Sequence, residues 1–191
     1  PKQIKKYTKV DIYTFIFLGR LTQLKGVMIA IKVLEKLRDK KITCQLWIVG
    51  TGDKKYIQKL KNYIKKHALT KHVKFFGYIP ELKKYELLAK AHTLLMPSEQ
   101  EGWGLVIPEA GLVGTPCIAY NVEGVRDIIT DKMSGLLVEP SADSMANSAF
   151  SLMKNNKLYK KIQLGAKKQA NMYSWNKTAE VVYTILQSQI K

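Results

Sequence analysis

Two glutamates, Glu101 and Glu109, stand eight positions apart in the stretch Ser98–Pro116, SEQEGWGLVIPEAGLVGTP. A carboxylate pair can serve as a hydrolase's acid and base when the groups lie about 5 to 9.5 Å apart across one bond. Eight helical steps already cover about 12 Å at ~1.5 Å per residue. The spacing therefore fits better a grip on two ends of one elongated ligand. Carboxylates suit sugar and ribose hydroxyls because they accept hydrogen bonds without competing as donors. The plainer reading of Glu109 is a first-turn carboxylate that stabilises its own helix. Pro108 is tolerated only in a first turn, where its missing N–H is not needed, so a helix is expected to begin near Gly104 or Leu105 and run through Leu112. Its free amides, beside Gly102 and Gly104, form an end that attracts anions.

Arg20 and Lys25 flank a turn between Gly19 and Gly26. A guanidinium offers phosphate oxygens a planar fork, and an ammonium acts as a mobile point charge. Two cations facing a helix N-terminus suit a diphosphate. Arg20 is also one of only three arginines in a lysine-dominated chain. Gly50-Thr51-Gly52 lacks the third glycine of a dinucleotide loop and follows the second strand, so a tight turn is its default. Asp127 is open between a site residue and a helix-surface charge. His67, His72 and His92 lack metal-ligand spacing, and neither a metal nor a cofactor is expected. Walker A, nucleophile-elbow and zinc-protease patterns do not occur. Cys44 and Cys117 sit in apolar runs and read as core residues.

The elements that must position these groups alternate in type. Apolar, β-rich runs at Ile12–Leu18, Thr43–Val49, Val73–Phe76, Thr93–Met96, Pro116–Tyr120 and Gly135–Val138 predict six strands. Unbroken runs of this kind fit strands buried on both faces. Helices are expected at Gly26–Arg38, from a cap at Asp53 to about His67, at Pro80–Ala91 and, briefly, at Gly124–Ile129. From Ala142 onward two or three helices follow without another strand. Strands alternating with helices through short glycine turns predict an α/β fold, a Rossmann-like doubly wound parallel sheet with helices on both faces and a helical C-terminal tail. Ligands bind beyond the carboxyl ends of such strands. Those ends are Gly19-Arg20, Gly50–Asp53, Gly77–Ile79, Pro97–Gly104 and Asn121–Gly124, and one crevice can collect them.

The 191 residues fit one domain, and a hydrophobic content of 46% is that of a soluble globular protein. Neither a membrane-spanning run nor an N-terminal signal pattern is present, so a cytoplasmic placement is expected. The net charge of +17 is uneven. Residues 1–90 carry 22 basic and 6 acidic groups, residues 91–150 carry 2 and 8, and residues 151–191 carry 8 and 1. Nucleic acid or an anionic membrane would account for the excess, as would plain solvation of lysine-rich helix faces. Aromatic platforms of the RNA-binding kind do not accompany the lysines, so no nucleic-acid partner is expected.

Five segments, GRLTQLKG (Gly19–Gly26), LWIVGTGD (Leu46–Asp53), VKFFGYI (Val73–Ile79), PSEQEGWGLVIPEAGLVGTPCIAY (Pro97–Tyr120) and SGLLVEP (Ser134–Pro140), together resemble family 4 glycosyltransferases. These are retaining, metal-independent enzymes of the GT-B fold. The resemblance runs from about Ile12 to Pro140 with the Glu-x7-Glu spacing intact. It implies the C-terminal, donor-binding half of a two-domain enzyme, with residues 1–11 as a linker from an acceptor domain and 12–191 as the donor domain. By the same resemblance Arg20 and Lys25 neutralise the donor diphosphate, and Glu101 contacts the donor sugar. Glu109 holds the ribose hydroxyls, the amides around Leu105 and Val106 cap the distal phosphate, and the Tyr78-Ile79 backbone meets the base. Gly19, Gly52 and Gly104 complete the expected binding set, with Glu101, Arg20 and Lys25 as the expected catalytic group.

The implied partners are a UDP- or GDP-sugar and a glycan or lipid-linked acceptor, with peripheral contact to an anionic membrane as a further expectation. The isolated domain is expected to bind nucleotide weakly and transfer nothing. Departures from the family pattern are Glu123-Gly124 and Asp127 in place of Gly-Gly and a glutamate, Gly111-Leu112-Val113 for a Met-Ala pattern, and Trp103 for phenylalanine. The alternatives are a nucleotide-sugar epimerase of the same architecture and a non-catalytic basic binding module.

Overall fold

A computed structural model describes residues 7–173 and 175–189. Six strands form a single sheet: β1 Tyr13–Leu18, β2 Cys44–Val49, β3 Val73–Gly77, β4 Thr93–Met96, β5 Cys117–Tyr120 and β6 Leu136–Val138. All are parallel, in the order β3-β2-β1-β4-β5-β6. Seven helices accompany them among the described residues: α1 Val27–Asp39, α2 Lys54–Lys66, α3 Glu81–Lys90, α4 Val106–Leu112, α5 Ala142–Lys154, α6 Asn156–Ala170 and α7 Trp175–Gln189. The expected α/β doubly wound sheet with a helical tail is the observed one.

Strand residues alternate between two cores, as the two-residue period of a pleated strand requires. Phe15, Phe17, Leu46, Ile48, Leu95, Ile118 and Tyr120 face one core, with α1, α2, α5 and part of α6. Ile16, Trp47, Val49, Leu94, Met96, Cys117 and Ala119 face the other, with α3 and α4. Both cysteines are buried and free.

Local sequence explains where the helices start and stop. Asp53 caps α2 by accepting from the Tyr56 N–H at 3.0 Å, which satisfies one of the helix's orphan donors. Ser141 and Asn155 cap α5 and α6 in the same way. The expected helix at Gly124–Ile129 is instead a run of turns. Its bonds from Arg126 to Val122 and from Ile129 to Val125 are one-turn closures that never propagate, and Gly124, second in the run, holds φ 78°. A nucleus without propagation does not make a helix.

At the amino ends of β1 and β4 a polar network ties the entering chain to the sheet. The Lys9 ammonium donates to the Ala91 carbonyl at 2.5 Å and to Thr115 Oγ1 at 2.7 Å, and burial lowers its pKa to about 7. The Val10 N–H donates to the Lys90 carbonyl. His92 stacks on Tyr13 with ring centroids 4.5 Å apart, and its Nδ1 accepts from the Thr14 N–H at 3.0 Å. Burial first, and the Lys9 charge second, lower the imidazole pKa to about 4.

The unfolded histidine takes up its proton near pH ~6.5, so between that value and about 4 the unfolded chain binds more protons. This contribution to stability is present above pH ~6.5 and lost as the pH falls toward 4. Denaturant titrations from pH 7 to 4.5 are expected to show a steeper loss for the parent chain than for His92→Gln. Parallel pH profiles would refute the assignment.

Candidate donor-binding site

Strands β1 and β4 are neighbours, but their onward connections leave toward opposite edges of the sheet. At such a switch point the loops diverge and leave a crevice. Gly26 sits at φ 72°, and a Cβ there would lie 2.0 Å from the Pro97 carbonyl oxygen. Only glycine fits that close approach of two backbones. The Glu99 N–H donates to the Leu24 carbonyl at 3.0 Å and joins the same two loops again.

The seam continues along the rim. The Leu21 N–H donates to the Thr51 carbonyl at 2.8 Å, and the Gly50 N–H donates to the Gly77 carbonyl at 2.8 Å. On the other side Gly124 packs against the chain at Glu101, where an added Cβ would lie 2.3 Å from the Glu101 carbonyl oxygen. The five strand-end segments thus form one rim held by main-chain contacts.

Side chains then converge across the crevice. Lys25 Nζ lies 2.6 Å from Glu101 Oε1, with the side chains 25% and 11% exposed. Lys84, on α3, pairs with Glu109 Oε1 at 2.6 Å. The two glutamates are therefore engaged by different lysines from different elements, an arrangement suited to two contacts along one ligand. Arg20 is exposed and enters no ion pair among the described residues.

α4 begins as the position of Pro108 predicts, with Leu105 as a cap residue that makes no side-chain capping bond. The Leu105 and Val106 amides donate no hydrogen bond among the described residues, whereas the Ile107 amide reaches the Gly104 carbonyl at 2.9 Å. Gly104 holds φ 71° just before them. Gly19 donates its N–H to Val49 at the end of β1, and Gly52 bridges to Leu21. Tyr78 is 83% exposed at the rim, while Ile79 packs against the core beneath it.

Beside Glu101 lies an open concavity lined by Glu99, Gln100, Gly102, Val122, Glu123, Gly124 and Asp127. Asp127 belongs to this wall. Trp103 packs edge-on against Tyr173 at 4.9 Å. Lys84 is the residue that sequence reasoning missed. Among so many helical lysines it carries no local mark, and only the packing of α3 on α4 brings it to Glu109. Chemically, the crevice offers cations and free amides to an anion, and two anchored carboxylates to hydroxyls.

The rim contacts are testable without a ligand. Gly124→Ala is expected to destabilise the fold by about 2–4 kcal/mol, because a Cβ at positive φ would strike backbone atoms. Gly102→Ala, next door, meets nothing within 4 Å and should stay within about 0.5 kcal/mol of the parent. Equal denaturation midpoints for the two variants would contradict the described packing.

Residues 1–169 match the family model described as "Glycosyl transferases group 1". Over 179 residues the chain is 26% identical to a phosphatidyl-myo-inositol mannosyltransferase of Mycobacterium leprae, covering 92% of this chain and 46% of that protein. Among solved structures it is similar to Anabaena HepE in complex with UDP and glucose, with a TM-score of 0.85, 22% identity, and coverage of 93% of this chain and 49% of that one. It is similar also to the C-terminal domain of a group 1 glycosyl transferase, LpcC, of Francisella tularensis, with a TM-score of 0.77, 24% identity and coverage of 84% and 85%. The chain spans about half the length of the curated relatives it matches. The sheet is the Rossmann-like one found in GT-B glycosyltransferases, and the chain belongs to the glycosyl transferases group 1 family.

Proposed function

We propose that this chain is the donor-binding half of a retaining, metal-independent family 4 glycosyltransferase that moves a sugar from a UDP- or GDP-sugar to a glycan or lipid-linked acceptor. The observation that carries the reading is the Lys25–Glu101 pair at 2.6 Å across the β1/β4 crevice, with Arg20 exposed at the same strand end. The diphosphate lies against Arg20, Lys25 and the amides of Leu105 and Val106. Glu109 takes the ribose hydroxyls, Glu101 the sugar, and the Tyr78-Ile79 segment the base.

When the anomeric C–O bond breaks, both electrons stay with the departing phosphate oxygen; the acceptor oxygen forms the new bond to the anomeric carbon, and its proton passes to that phosphate oxygen. Cations and amides already aimed at that oxygen stabilise its charge without reorganising. Glu101, held by Lys25, positions the sugar. Support for the nucleotide comes from the similar Anabaena HepE structure, which is a complex with UDP and glucose. Support for a lipid-linked acceptor comes from the relative named a phosphatidyl-myo-inositol mannosyltransferase.

A second observation favours contact with an anionic membrane. Residues 54–74 contain eight lysines and no acidic residue, and all eight lysines are exposed. None is in an ion pair among the described residues. No described helix is long and apolar enough to cross a membrane. Each lysine near an anionic leaflet contributes about 1 kcal/mol, so a patch of this size can hold the protein to the surface.

Calorimetric titration with UDP, GDP and their sugars tests the donor reading. Arg20→Ala should weaken the preferred diphosphate at least ~10-fold, about 1.4 kcal/mol. The bound sugar should stay untransferred when acceptor is added to the chain alone. Parent-like binding by Arg20→Ala would remove its phosphate role. For the membrane contact, cosedimentation with phosphatidylserine vesicles at physiological salt should drop at least ~10-fold in Lys61→Gln/Lys65→Gln/Lys66→Gln/Lys71→Gln, with nucleotide affinity unchanged. Equal cosedimentation of parent and variant would exclude this face.

A further inference from the structure

Glu109 stands in the first turn of α4, where a glutamate side chain ordinarily samples several rotamers. Lys84 removes that freedom. Its ammonium is 2.6 Å from Oε1, and the two side chains are only 20% and 24% exposed, so solvent screens the pair weakly. Lys84 is itself well placed. Its backbone N–H donates to the Pro80 carbonyl at 3.0 Å, and its ammonium lies 4.9 Å from the Tyr85 ring centroid, within the range of a cation–π contact. Glu81 approaches the same ammonium only at 4.0 Å and is 73% exposed, which leaves it a minor partner.

Among the described residues Glu109 Oε2 accepts no hydrogen bond. One carboxylate oxygen is therefore held by Lys84, and the other has no hydrogen-bond partner among the described residues. A carboxylate oxygen has lone pairs for two donors, which matches the adjacent hydroxyls of a ribose.

We propose that Lys84 is a positioning residue for sugar-hydroxyl recognition: it pins Glu109 Oε1 so that Oε2 faces the ribose, and ribose-over-deoxyribose preference resides in this inter-helix pair. The inference rests on Glu109 as the ribose contact and adds the group that orients it. Without Lys84 the carboxylate is still present but must be ordered at the moment of binding, and the 2′-hydroxyl loses a preformed acceptor.

The test is titration of the chain with UDP and GDP and with their 2′-deoxy counterparts, in the parent, Lys84→Met, Lys84→Arg and Glu109→Gln. The parent is expected to prefer the ribonucleotide at least ~10-fold. Lys84→Met should lose most of that preference while binding the deoxy form nearly as the parent does, and Lys84→Arg should restore it. A denaturation midpoint for each variant checks folding, and a general structural loss would weaken both nucleotide forms alike and overturn the proposal. Retained preference in Lys84→Met overturns it, as does tighter ribonucleotide binding, which would make Lys84 a blocking counter-ion. Glu109→Gln separates the two levels. If that variant keeps the preference, the ribose reading itself falls. If it abolishes the preference while Lys84→Met keeps it, only the role of Lys84 falls.

Discussion

The approach of Gly26 to the Pro97 carbonyl is the contact on which the rest of the site depends. A parallel sheet that reverses its winding direction opens a gap between the two strands at the switch, and nothing in the winding itself fixes how wide that gap is. Here the width is set by backbone against backbone, with the Glu99–Leu24 hydrogen bond as a second tie. Lys25 precedes Gly26, and Glu101 follows Glu99 by two residues. Once the loops are joined, the two side chains meet as a matter of chain geometry.

The uneven charge of the sequence acquires a spatial meaning in this arrangement. The strongly basic residues 1–90 supply β3, β2 and β1 with their helices, and the acidic residues 91–150 supply β4, β5 and β6. The crevice lies where the two halves join. Each site glutamate on the acidic side meets a lysine from the basic side, Lys25 for Glu101 and Lys84 for Glu109. The two walls of the crevice therefore carry opposite charge.

Much of this was legible from residue order. Six strands, their parallel arrangement and the start of α4 followed from apolar runs, glycine turns and the single constraint of Pro108, because each has a local physical cause. Arg20 and Lys25 were placed at the crevice by the strand-end rule. What was not legible depended on distance in the chain. Lys84 looks like any other helical lysine until α3 packs on α4. The segment after Gly124 has the helical spacing of Val125, Ile128 and Ile129, all three buried, yet its backbone forms only turns over residues 123–128. Its first glycine is fixed by the Glu101 backbone, an interaction that no local pattern announces. Lys9 lies in the stretch expected to be a linker, and no local pattern announces that its ammonium is bonded to Ala91 and Thr115 at the amino end of the sheet.

A rim joined through main-chain atoms separates two burdens that proteins often place on the same residues. The shape of the crevice resides in carbonyls, amides and a few glycines, none of which depends on the identity of Tyr78, Glu123 or Asp127. Those three side chains are exposed on the rim or its wall, so replacing them leaves the frame standing. Such a site can drift from one ligand to another through neutral steps. A family built on this frame can diversify widely in what it handles while its backbone stays nearly constant.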